Sequence, residues 1–174
     1  MILDKNGEYI TKNIFQGLLL SILLISILMS LIVKSWKMLI VSLIPNIIPL
    51  IFAAALLGFF GIELEAGISI VFAVIFGIAV DDTIHFIARY NQCIAAGLNV
   101  EQSIEQTFKD TGRALVITTI ILFFGFLVML FSKHPTSVIV GSLIAFTLVS
   151  ALLCDLYLLP ILIRKVFGKS QSKI

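Results

Sequence analysis

The sequence predicts an all-α integral membrane bundle of five transmembrane helices plus one cytoplasmic interfacial helix. Three observations carry this. Of 174 residues, 60% are apolar and 13% charged, against about 45–50% and about 25% in soluble domains, so polar side chains are too few to cover a watery surface. Five apolar runs reach the roughly 20 residues that a helix needs to cross a hydrocarbon core. Every Lys and Arg falls outside those runs.

The spans are Ile14 to Val33, Met38 to Phe60, Gly67 to Ala88, Ala114 to Phe131 and Val138 to Ile163. Runs rich in Ile, Val and Phe also suit buried strands, but lengths near 20 decide for helix. The first run is preceded by a leader with Asp4 and Glu8 against Lys5 and Lys12, and it ends in Lys34-Ser35-Trp36-Lys37 with no small-residue cleavage site. It therefore reads as a span and not a secretory signal. In the second, Pro45-Asn46-Ile-Ile-Pro49 predicts a kink, since each proline removes a backbone donor, and Asn46 can satisfy a freed carbonyl.

Lys and Arg set the orientation. Lys34, Lys37, Arg89, Lys109, Arg113, Arg164, Lys165, Lys169 and Lys173 share one side; Lys5, Lys12 and Lys133 share the other. The richer side is cytoplasmic, so the N-terminus lies outside a cytoplasmic (inner) membrane and the C-terminus inside. The chain divides into an extracytoplasmic tail (1–13), a transmembrane domain (14–163) and a basic cytoplasmic tail (164–174). An odd number of spans starting outside predicts the C-terminal part of something larger, or a chain working beside a partner. The long cytoplasmic segment, Tyr90 to Gly112, contains an amphipathic helix over 99–110 with Val100, Ile104 and Phe108 on one face. Asn99 and Gln102 sit at capping-box spacing and Glu105 faces Lys109. Such a helix lies in the headgroup plane.

The third span carries the chemistry: Gly77-Ile-Ala-Val-Asp81-Asp82-Thr-Ile-His85-Phe-Ile-Ala-Arg89. Gly77, Asp81, His85 and Arg89 are four apart and stack on one stripe. Asp82 lies about 100° round from Asp81 but three residues from His85. An Asp at a helix centre costs about 2.5–3.5 kcal/mol on insertion scales, so the bundle must pair, hydrate or protonate it. Two adjacent carboxyls titrate as a coupled unit, and an imidazole changes charge near neutrality. Such a cluster can load a proton on one side and release it on the other. The other reading of it is interhelical glue, with Asp81 wetted near the cytoplasmic interface. Gly77 allows a neighbouring helix close approach. Thr118 either bonds the preceding helical turn or relays a proton to Asp81. Asp155 reads as interfacial or structural, and His134 as a solvated loop residue.

The net charge of +2 is too small to argue for nucleic acid. Cys93 and Cys154 make no metal-ligand pattern and read as free thiols. Nucleophile-elbow, zinc-protease, P-loop and dinucleotide motifs do not occur. The chain therefore reads as no enzyme, with no cofactor and no metal, and with no ATP site any transport would draw on an ion gradient or on another chain.

In order along the chain, Ser42-Leu-Ile-Pro45-Asn46-Ile-Ile-Pro49, Gly58-Phe-Phe-Gly61-Ile62, Gly77-Ile-Ala-Val-Asp81-Asp82-Thr83-Ile84-His85, Arg113-Ala-Leu-Val-Ile-Thr118-Thr119 with Gly125-Phe126, and Asp155-Leu-Tyr-Leu-Leu-Pro160 resemble the RND superfamily of transporters. The branch they resemble is the MMPL-type or predicted-exporter one, related to Patched, Dispatched and sterol-sensing-domain proteins. The resemblance implies correspondence to the eighth to twelfth helices of a twelve-helix transporter. It implies proton-driven export of lipids or other hydrophobic compounds, with Asp81 at the family's intramembrane acid. Asp82 stands where many MMPL relatives carry Tyr. The implied proton carriers are Asp81 and Asp82, assisted by His85 and Thr118. The implied partners are membrane lipids, a hydrophobic substrate, and the N-terminal half with its porter domains or another subunit. A lipid- or sterol-sensing module that does not transport, and an inactive fragment, are the alternatives.

Overall fold

The computed structural model describes residues 35–62 and 66–171, together with Gln16, Gly17, Leu19, Leu20, Leu23, Leu24, Ser26, Ile27, Met29 and Ser30. Among the described residues all regular structure is helical and no strand occurs. Among them four stretches are long and apolar enough to cross a membrane: Trp36–Phe59, Val71–Ala95, Val100–Phe131 and Pro135–Gly168. Much of the first expected span, 14–33, lies outside the described residues, as does the tail 1–13; the other four expected spans fall on these four stretches. The described residues of 14–33 are helical, and Met29 is fully buried in the core.

Helix α1, Trp36–Phe59, runs unbroken through Pro45 and Pro49. Its buried stripe includes Met38, Ser42, Pro45, Asn46, Pro49, Ala53 and Leu57, the three-and-four spacing of a core-facing helix. Asn46 Nδ2 donates to the Ser42 carbonyl at 2.7 Å. Pro45 and Pro49 deprive Val41 and Pro45 of their usual backbone donors, so the amide serves a neighbouring carbonyl and not one of the two freed. The helix stops at Gly61, whose φ of +62° suits a residue without Cβ. There Ile62 N–H donates to Leu57 O and Gly61 N–H to Gly58 O, the paired closing bonds of a Schellman turn.

Helix α2, Ala66–Ala95, continues past the expected end at Ala88. Nothing from Arg89 to Ala95 breaks a helix; Gly97, with φ +91°, does. Helix α3, Val100–Thr107, starts on the predicted capping box: Asn99 Oδ1 accepts from Gln102 N–H at 2.9 Å, and Gln102 Oε1 accepts from Asn99 N–H at 3.2 Å. Asn99→Ala is expected to destabilise this turn by about 1 kcal/mol, read as faster amide exchange at Glu101 and Gln102 with no change in α5. The buried stripe of α3 differs from the expected one. Val100, Ser103 and Thr107 are buried and Phe108 is exposed. Thr107 can be buried because its hydroxyl donates to Ser103 O at 2.6 Å. Nor is α3 a separate surface helix. A π-helical turn, Phe108–Gly112, joins it directly to α4, Arg113–Leu127.

A 3₁₀ turn, Val128–Phe131, ends α4, and Pro135 opens α5, Pro135–Leu153, at its first turn. A Cβ on Gly141 would stand 2.5 Å from Met129 Cβ and 2.7 Å from Phe126 O, so α5 crosses the end of α4 at a distance only glycine permits. A second π-helical turn, Cys154–Leu158, leads into α6, Leu159–Gln171. Arg164 on α6 pairs with Glu101 on α3 at 2.9 Å, tying both to one end of the bundle.

Candidate functional site

Helix α2 presents chemistry on two faces. A groove of about 690 Å³ lies along one, lined by Gly77, Asp81, Asp82 and His85 from α2 and by Asp110, Ala114 and Thr118 from the π turn and α4. Four titratable or hydroxylic residues singled out in the sequence therefore share one space. The Asp81 and His85 side chains are 70% and 67% exposed, with His85 Nε2 3.8 Å from Asp81 Oδ1. That is too long for a hydrogen bond, and neither group is consumed by a structural contact. Asp82 is half-buried at the groove's inner edge.

The expectation for Gly77 changes here, and Thr118 makes the backbone bonds that were one of its two readings. Gly77 is exposed, and a Cβ on it would meet nothing within 4 Å. Among the described residues it brings no helix close; it leaves the groove open. Thr118 faces the groove while its hydroxyl contacts Ala114 O and Leu115 O, at 3.1 and 3.0 Å. Its proton is held by its own helix. Arg89, on the same stripe as Asp81, turns away to Asp110, with Nε and Nη2 donating to Asp110 Oδ2 at 2.9 and 2.6 Å. Gln106 Nε2 donates to the same carboxylate. Asp110 is thereby neutralised at the groove's end, and among the described residues no Lys or Arg makes an ion pair with Asp81 or Asp82. His134, in the short turn before α5, is exposed as expected, and Cys93 and Cys154 are free thiols.

The second face is buried. Thr83 Oγ1 lies 2.7 Å from Asp155 Oδ1, 3.2 Å from Asn46 Oδ1 and 3.1 Å from Ala79 O. Thr83 and Asn46 are fully buried and Asp155 is 1% exposed. Asn46 thus belongs to a site joining α1, α2 and the turn after α5, and Pro45 and Pro49 flank it on the buried stripe of α1. Asp155 reads from the sequence as interfacial or structural; it is not at a surface but in the core, where the turn Cys154–Leu158 directs it inward. Thr83 went unremarked in the sequence. The signal available was the presence of polar residues, Asn46, Thr83 and Asp155, inside three apolar spans, since such residues take each other as partners.

Helices of bilayer-spanning length, one of them carrying clustered carboxyls, define a multi-pass membrane protein. The chain belongs to the MMPL family, whose family model matches residues 2–173, and so to the RND superfamily. MMPL proteins are transporters and not enzymes. A similar protein is MJ1562 of Methanocaldococcus jannaschii, whose name describes it as a membrane protein. It is 30% identical over 142 residues, spanning 80% of this chain and 37% of that protein. The chain thus spans little more than a third of the length of this relative.

Proposed function

We propose that the chain is the C-terminal membrane half of an RND/MMPL-like exporter that uses the proton-motive force to move lipids or other hydrophobic compounds. It works with an N-terminal half bearing porter domains, or with another subunit, in the cytoplasmic membrane, N-terminus outside and C-terminus inside. The observation that carries this is the open groove holding Asp81, Asp82, His85 and Thr118 together. An acid pair facing an open groove can exchange protons with whatever element closes over it, whereas polar residues serving as glue are already bonded. Asp81 and Asp82 carry the proton; His85 and Thr118 assist.

The test is export of a labelled lipid from vesicles holding the chain and its partner half under an imposed pH gradient. Export that stops when a protonophore collapses the gradient supports the reading; export indifferent to the gradient overturns it. An apolar groove of about 390 Å³ between α1 and α5, lined by Phe52, Leu56, Val138 and Phe146 among others, favours a second reading, a lipid-sensing module that does not transport. Lipid binding unaffected by the gradient, with no lipid moved, would select it.

A further inference from the structure

Hydrogen counting around Thr83 identifies a site distinct from the groove. The hydroxyl carries one proton and contacts three oxygens, on Asp155, Asn46 and Ala79. The Asn46 amide cannot be turned to supply a donor, because its Nδ2 is engaged with Ser42 O at 2.7 Å and a flip would set two acceptors against each other. If Asp155 were ionised, Thr83 would donate to it. Asn46 Oδ1 would then have no donor, and Asp155 Oδ2, already without a partner, would be a buried charged oxygen. Among the described residues no Lys or Arg makes an ion pair with Asp155. The titratable groups around it are Asp82 from α2 and Cys154 from its own turn, and α1 contributes the uncharged Asn46. One added proton resolves the deficit. Asp155 Oδ1–H donates to Thr83 Oγ1, Thr83 donates to Asn46 Oδ1, and Oδ2 is left as a neutral carbonyl oxygen, the least costly group to bury unpaired.

We propose that Asp155 is a second proton-binding site of the chain, a neutral carboxylic acid whose single proton ties α1, α2 and the turn after α5 together behind the Asp81–Asp82 groove. Loss of that proton leaves a buried carboxylate and an unsatisfied amide, so the packing of the three elements must change with it. That this change belongs to the transport cycle rests on the proposed function; the protonation itself does not.

The experiment is infrared spectroscopy of the chain in lipid vesicles at neutral pH, in the Asp81→Asn/Asp82→Asn background that silences the groove. A protonated-carboxyl C=O band that downshifts in deuterated water and disappears on adding Asp155→Asn is expected. Thr83→Val, which keeps the volume, should raise its frequency by removing the acceptor, and it carries the assignment if Asp155→Asn does not fold. Absence of the band in the double variant overturns the proposal. So does its loss when sodium replaces choline at constant pH, which would assign the oxygen cluster to a metal cation. The measurement needs neither gradient nor substrate. Its failure leaves the export reading standing, and gradient-independent export would sink that reading with the Asp155 band intact.

Discussion

If the proposed function holds, Asp81→Asn in the chain assembled with its partner half is expected to lower gradient-driven export by about a hundredfold or more, the lower range for losing a positioned proton-transfer group. The amide keeps the carboxylate's shape and polarity but cannot take up and release a proton at physiological pH. Asp81 is mostly exposed to the groove and makes no hydrogen bond among the described residues, so the substitution should leave the fold intact. Asp81→Glu should recover part of the rate, since the acid is restored with one extra methylene in a space wide enough for it. His85→Gln should cost less, because Asp81 and Asp82 still provide the carboxyl pair. The check is initial export rate against pH gradient for each variant, normalised to protein in the membrane. A near-normal rate in Asp81→Asn would show that the groove acids do not carry the coupling proton.

Gly141→Leu is expected to be the most damaging substitution for the bundle itself. The first added carbon already falls 2.5 Å from Met129 Cβ and 2.7 Å from Phe126 O. Both atoms are fixed to the backbone of another segment, so no rotamer change relieves the contact. Overpacking of this kind costs about 1–3 kcal/mol or more, and Leu adds a whole side chain to it. Gly141→Ala should show a smaller loss, since alanine recovers about 1 kcal/mol of helix propensity. Gly77→Ala is the matched control: its Cβ meets nothing within 4 Å, and the same propensity should make that variant slightly more stable. Unfolding midpoints in mixed detergent micelles give all three values, and a Gly141→Leu midpoint equal to wild type would contradict the close crossing.

The helices were legible in the sequence because lipid demands long apolar runs and backbone self-satisfaction, and those demands are local. Asn99 with Gln102 and Glu105 with Lys109 were legible for the same reason, being three and four residues apart. What was not legible was which face each helix buries. In a soluble helix polarity marks the outside, but here both faces of α2 are apolar apart from a few residues. Periodicity therefore could not tell that Asp81 opens to a groove while Thr83, two residues on, is sealed in the core. The Arg89–Asp110 pair and the inward turn of Asp155 escaped for a further reason. Each sits in or beside a π-helical turn, and an α-helical wheel drawn through such a turn assigns the wrong side to everything beyond it.

Those two turns have a consequence for how the chain tolerates change in length. A π turn accommodates one residue more than an α turn over the same rise, and one residue is worth about 100° of rotation. Phe108–Gly112 and Cys154–Leu158 are therefore phase shifters that set the azimuth of α4 relative to α3 and of α6 relative to α5. Removing a single residue from either would restore uninterrupted α-helix, keep every apolar run long enough to span, and still rotate the downstream segment out of phase. After the second turn the rotation would swing Arg164 away from Glu101; within the first it would carry Asp110 away from Arg89. A one-residue deletion there is thus a change of angle and not of length, and composition alone gives no sign of it.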